Sequence, residues 1–203
     1  MGRTSDAKTR LIQNAMELIR SRSYTDVGVQ ELCESAGVQK GSFYHFFKSK
    51  QDLALAALDA WWDYTRKENW DPAFSPDIPP LERFERFFEI AHQQNCLDQE
   101  INGRLCGCPF GNLAIEMSTR DDKIRAKIDQ IFQDIIARFE KALKDAIAIQ
   151  ELPILDTRKT AMALWAYCEG IILLAKSQQD PGLVEQLGRL TIQFLKNQQK
   201  EAA

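Results

Sequence analysis

Two cysteines separated by one glycine, Cys106-Gly107-Cys108, are followed at once by Pro109 and, further on, by Glu116. Proline is tolerated in the first turn of a helix, where its missing N–H would have no partner anyway. Phe110 to Met117 therefore reads as a short helix with Cys108 at its cap. Unpaired N–H groups at such an end favour a thiolate, the form that oxidants and electrophiles modify. Cys106 is close enough to resolve a sulfenate, whereas a direct bridge across one glycine would be strained. Three other readings of these residues stand beside that one. Both cysteines are small apolar fillers; or they join Cys96 and His92 as soft metal ligands, in a spacing that matches no standard zinc pattern; or Cys108 is an enzyme nucleophile with His92 or Glu116 as its base.

Five cysteines are an odd number, which points to free thiols rather than a disulfide framework. The 203 residues are 44% hydrophobic and 27% charged, as in an ordinary globular protein. The densest apolar run, Ile171 to Ala175, falls far short of the roughly 20 residues of a membrane span. Met1 to Asp6 has neither the apolar core of a secretory signal nor a myristoylation pattern, so a cytoplasmic address is expected. No cofactor and no bound metal are expected.

Helical periodicity must position these groups, and the pattern is all-α, with nine helices and no strand signal. The first runs from Lys8 to Arg22, capped by Ser5 or Asp6. The second starts near Gly28 and breaks at Ala36-Gly37-Val38, and a third follows. The fourth is capped by Ser49, with Asp52 as capping-box partner, and continues to about Glu68. Asn69 to Pro80 holds four of the seven prolines and reads as loop. Leu81 to about Gln94 is the fifth helix, and Phe110 to Met117 the sixth. The seventh opens at Ser118 or Thr119 and runs to about Ile149. Asp156 or Thr157 caps the eighth, and Asp180-Pro181 starts the ninth, whose stripe is Leu183, Leu187, Leu190 and Phe194; the tail from Gln198 is expected to fray. The eighth and ninth should pair antiparallel.

In the second helix Val29, Leu32, Cys33 and Ala36 make one apolar face. In the third, Phe43 and Phe47 share a face and leave Gly41, Ser42 and His45 opposite, with Tyr44 on a flank. A short helix whose outer face is small, polar and basic, braced by another across a glycine turn, suits a DNA major groove. Charge agrees: residues 1–50 carry 8 Lys/Arg against 5 Asp/Glu, a balance of +3, while the whole chain is −3.

The run from Ala36-Gly37-Val38 through Lys40-Gly41-Ser42-Phe43-Tyr44-His45-Phe46-Phe47-Lys48-Ser49-Lys50 to Leu53 resembles the signature of the tetracycline-repressor (TetR) family. The resemblance implies a helix-turn-helix DNA-binding domain over residues 1–48 and an effector-binding and dimerisation domain over 49–203. It implies DNA contacts from Lys40, Gly41, Ser42, Tyr44, His45 and Lys50, with Gln30 added from the second helix. At Gly28 the family more often has Thr or Ser, so any phosphate contact there falls to backbone N–H groups. Phe46 stands where many relatives are polar.

A homodimer through the eighth and ninth helices, facing a palindromic operator with its heads about 34–36 Å apart or a helical-turn multiple of this, is also implied. The Gly-Cys-x-x-Gly-Asn-Leu-Ala-x-Glu run from Gly107 to Glu116 resembles the branch that includes acrylate and electrophile sensors. That makes Cys108 and Cys106 sensing candidates. Trp62, Phe88, His92, Phe110 and Trp165 are candidates for a pocket holding a small-molecule effector, or else the rings are simply core. A DNA-bound scaffold without effector is the remaining alternative.

Overall fold

Gly37 is where the head of the chain turns. Its φ of 62° is the left-handed conformation that glycine adopts without a Cβ penalty. Val38 N–H closes the turn on the Cys33 carbonyl at 2.8 Å. The computed structural model describes residues 2–201. Among the described residues nine helices carry the architecture, and no strand is present: α1 (Gly2–Ser21), α2 (Val29–Ser35), α3 (Lys40–Phe46), α4 (Lys50–Thr65), α5 (Pro80–Asn102), α6 (Pro109–Met117), α7 (Asp122–Ala148), α8 (Thr157–Gln178) and α9 (Gly182–Glu201).

Helix starts follow side-chain chemistry. Ser49 Oγ accepts from Asp52 N–H at 3.1 Å, and Asp156 caps α8 by accepting from Lys159 N–H. Asp180 accepts from Gly182 N–H at 2.8 Å, with Pro181 beside it, as read from the sequence. Four readings need correction. α1 begins at Gly2, so Ser5 and Asp6 lie inside it, and Asp6 pairs with Arg10 one turn on. α7 is capped by Asp121, whose Oδ1 accepts from Lys123 and Ile124 N–H, and Ser118 and Thr119 lie before it. α5 continues to Asn102, where Gly103 ends it with φ 69°. The backbone of α9 stays helical to Glu201 rather than fraying at Gln198.

The expected proline loop is also partly helical. After α4 the chain makes a π-turn, Arg66–Trp70, then a short α turn, Asp71–Ala73. Pro72 sits in the first turn of that piece, where no N–H is required of it. Trp70 is thereby buried.

The chain divides into two compact units: residues up to Tyr64 with Cys108–Gln130, and Thr65–Gly107 with Ile131 onward. In the first, Leu11 and Ala15 of α1 close over Leu32 and Cys33 of α2, Phe43 of α3 and Leu53 of α4. In the second, aromatic rings make the core. Trp70 lies 4.8 Å from Phe87 and 6.0 Å from Trp165, and Phe74 lies 5.4 Å from Phe139, centroid to centroid. Buried Arg83 holds the segment before α5 by donating to Ile78 O at 2.9 Å and to Asp145 at 2.5 Å. α9 lies so close to α5 that a Cβ on Gly188 would sit 2.4 Å from the Phe88 ring. Among its described residues Val184, Gly188, Thr191, Ile192 and Leu195 are buried, while Leu190 and Phe194 of the expected stripe are exposed.

Candidate nucleic-acid interface and thiol site

α3 buries Phe43 and presents Lys40, Gly41, Ser42, Tyr44 and His45 to solvent. Phe47, just past its end, is buried with Phe43, their rings 5.9 Å apart. Both phenylalanines are consumed by the core, which turns the polar edge outward. A Cβ on Gly41 would meet nothing within 4 Å, so this stretch of helix presents bare backbone. Phe46 packs partly against the core. On α2, Gln30 is exposed and donates to Glu34 at 2.6 Å. Gly28 is the exposed N-cap of that helix and, having no side chain, leaves the capping to backbone.

Lys50 has a different local role from the other bases. Its Nζ donates to the carbonyls of Tyr24 and Val27 at 2.7 and 2.9 Å and lies 4.1 Å from the Tyr24 ring centroid. Burial lowers its pKa, partly offset by Glu116 and Asp26. Two of three ammonium donors therefore tie down the α1–α2 loop, leaving one for a phosphate.

The same loop is gripped from α6. Glu116 accepts from Ser23 Oγ (2.6 Å), Tyr24 N–H (3.0 Å), Thr25 N–H (2.8 Å) and Thr25 Oγ1 (2.7 Å). Burial pushes its carboxyl up, but these hydrogen bonds outweigh that and hold it below the usual carboxylate value. Nothing local in the sequence signals this clamp, because its partners lie 91 to 93 residues away. Asp121, just past α6, accepts from Gln51 of α4 at 2.6 Å, and Lys127 pairs with Asp59 at 2.8 Å.

At the other end of α6, Cys108 is the N-cap. Its backbone is extended, Pro109 follows, and its Sγ accepts from Gly111 N–H at 3.4 Å. Cys106 is buried, with its N–H donating to Asp98 at 3.0 Å. All five cysteines are free thiols. Burial pushes the Cys168 and Cys33 thiols up, so both stay protonated.

The ring candidates are placed in cores. Trp62 packs edge-on to Phe110 at 6.3 Å; Trp165 lies 5.4 Å from Phe132; Phe88 is closed in by Phe87. His92 Nδ1 is 3.0 Å from the Pro181 carbonyl and its ring 3.7 Å from Cys96 Sγ, so it bridges α5 to the α8–α9 turn. Among the described residues no group of three or more His, Cys, Asp or Glu is placed to hold a metal ion. No described helix is long and apolar enough to cross a membrane.

Residues 11–57 match the description "Bacterial regulatory proteins, tetR family", and residues 80–190 match "Tetracyclin repressor-like, C-terminal domain". The transcriptional regulator AcuR of Cereibacter sphaeroides is 32% identical over 176 residues, covering 86% of this chain and 78% of AcuR. The chain belongs to the TetR family. A solved TetR regulatory protein from Rhodobacter sphaeroides superposes with a TM-score of 0.82 at 32% identity, over 92% of this chain and 97% of that one. The reduced form of Escherichia coli NemR gives 0.79 at 25% identity, over 95% and 96%. As a TetR-family member the protein is a DNA-binding transcriptional regulator, not an enzyme. The Cys108 nucleophile reading therefore falls, and the carboxylate nominated as its base is occupied by the 23–25 loop.

Proposed function

We propose that the protein is a homodimeric repressor that holds a palindromic operator and lets go when a small-molecule effector binds or when Cys108 is modified. One observation carries the thiol half of this reading. Cys108 caps the N-terminus of the helix whose other end, at Glu116, grips the loop that leads into α2. Peroxide would convert the thiolate to a sulfenic acid with loss of hydroxide, and an electrophilic alkene would add to it. Either change enlarges the cap residue and weakens its bond to Gly111 N–H. That NemR has been described in a reduced form favours a redox input over a purely non-covalent one.

Residues 1–48 form the DNA-reading part in this proposal, with Lys40, Gly41, Ser42, Tyr44 and His45 at the duplex and Gln30 and the Gly28 backbone beside them; Lys50, at the start of α4, adds its third donor on phosphate. Residues 49–203 sense and dimerise. The dimer forms through α8 and α9, where Met162, Tyr167, Leu173, Leu174, Leu190 and Phe194 are exposed. Such a patch is what a second copy would cover. A cytoplasmic location fits both roles.

The test is a gel-shift titration on the DNA upstream of the protein's own reading frame. Peroxide or N-ethylmaleimide should release the DNA from the wild type and not from Cys108→Ser. Equal release from both would move the covalent sensing to another of the cysteines, and no binding at low ionic strength would sink the reading entirely.

A further inference from the structure

α2 is fastened wherever it does not face outward. Leu32 and Cys33 are buried, Ser35 Oγ donates to Asn14 Oδ1 of α1 at 2.6 Å, and Arg10 Nε donates to the Ala36 carbonyl at 3.1 Å. Of the two carboxylates on this helix, Glu31 is paired with Arg22, just past α1. The other, Glu34, is exposed one turn from Gln30, and its Oε1 accepts from Gln30 Nε2 at 2.6 Å. A carboxylate can only accept, so this bond decides which way the Gln30 amide is turned. Its NH2 end is committed to Glu34. The carbonyl oxygen and one N–H remain for a duplex.

We propose that Glu34 is a positioning residue for base recognition, turning the Gln30 amide so that it reads adenine in the major groove; this rests on the placement of Gln30 at the duplex in the proposed function. Adenine sets an amino donor, N6–H, beside an acceptor, N7, on its major-groove edge. The Gln30 carbonyl accepts from N6 and the remaining N–H donates to N7. Guanine presents two acceptors, O6 and N7, so its O6 would face the Gln30 carbonyl and repel it. A glutamine without a neighbour escapes that repulsion by turning its NH2 end to guanine. With Glu34 in place the same turn would set the carboxylate against the Gln30 carbonyl.

Between exposed side chains such a bond is weak while water competes for it, and a groove closing over the pair removes that competition. The Glu34 carboxylate also repels phosphate, an effect that every sequence feels alike. Selectivity and overall affinity therefore respond differently when Glu34 is changed, which separates orientation from charge.

Full-length protein is offered a pool in which each base pair of the DNA upstream of its own reading frame is varied, and the bound sequences are counted. Gel shifts on single-base variants then give the ratios. The wild type should prefer adenine over guanine by about tenfold at one position of each half-site. Gln30→Ala should abolish the preference there and nowhere else. Glu34→Ala should admit guanine and reduce the ratio to about threefold or less, without loss of affinity for sequences varied at other positions. Glu34→Gln keeps an acceptor oxygen for Gln30 without the charge, and should retain most of the preference. Alanine suits an exposed helical position, and melting temperatures matched to the wild type check that the variants fold.

An unchanged ratio in Glu34→Ala, or a loss spread over all positions, overturns the role of Glu34 and leaves Gln30 at the duplex. So does guanine or thymine as the preferred base at the position Gln30→Ala identifies. Base preferences unmoved by Gln30→Ala take Gln30 out of the interface and overturn both assignments, and failure to retain any duplex sinks the proposed function with them.

Discussion

Glu116 and Thr25 are joined twice, Glu116 Oε1 accepting from both the backbone N–H and the hydroxyl of Thr25 at 2.8 and 2.7 Å. With Ser23 and Tyr24 also donating, one carboxylate holds the backbone that precedes α2. Glu116→Ala is expected to cost about 1–2 kcal/mol, since the part-buried donors Ser23 Oγ and Tyr24 N–H lose a charged acceptor. Thermal unfolding would show the loss, and trypsin should cut after Arg22 faster in the variant. Equal cleavage rates would mean the loop is held by other contacts.

The grip is also pH-dependent. Glu116 titrates below its ordinary value of 4.5 when folded, so its contribution is fully present above that pH and fades as pH falls through the depressed value. The stability difference between wild type and Glu116→Gln should be constant from neutral pH to about 5 and shrink below it, as denaturant titrations at stepped pH would record. A gap that widens with acid would contradict the assignment.

Gly41 separates folding from recognition. Its backbone is helical and a Cβ there meets nothing, so Gly41→Ala should stabilise α3 by up to about 1 kcal/mol. The same methyl would stand where a duplex backbone or base edge needs close approach. Higher melting temperature with weaker operator binding is the expected pair of results. Unchanged DNA affinity would remove Gly41 from the interface.

Cys108 can be tested as a cap independently of its chemistry. Serine is a better N-cap than cysteine, so Cys108→Ser should match or exceed wild-type stability, whereas Cys108→Ala should lose about 1 kcal/mol. Calorimetric melting of the three proteins decides it. If alanine is as stable as serine, the 3.4 Å contact to Gly111 contributes nothing.

Gly188→Ala places a methyl into the Phe88 ring at 2.4 Å. Overpacking of this kind costs about 1–3 kcal/mol, and the expected readout is a lower melting temperature with unaltered helix content by circular dichroism. Shortening the ring in Phe88→Leu should recover part of the loss in the double variant.

The head was the most legible part of the chain, because its determinants are local. Gly37, the Phe43–Phe47 spacing and the Ser49 cap all act within a few residues, and each is found as read. Cys108 as a cap followed from Pro109 by the same local logic. What the sequence withheld is long-range. Glu116 reads as a catalytic base candidate until its partners in the α1–α2 loop are visible, and Lys50 reads as a solvated phosphate contact until two carbonyls are seen to hold it. Apolar periodicity marked Leu190 and Phe194 as one stripe with Leu183, but it cannot tell a core-facing residue from one that awaits another surface. Proline density misled for a physical reason: Pro72 falls where helices accept proline.

The π-turn at Arg66–Trp70 accommodates one residue more per turn than the α4 it continues. Removing one residue from the turn would swing the indole around the helix by about 100° and out of the ring cluster it now anchors.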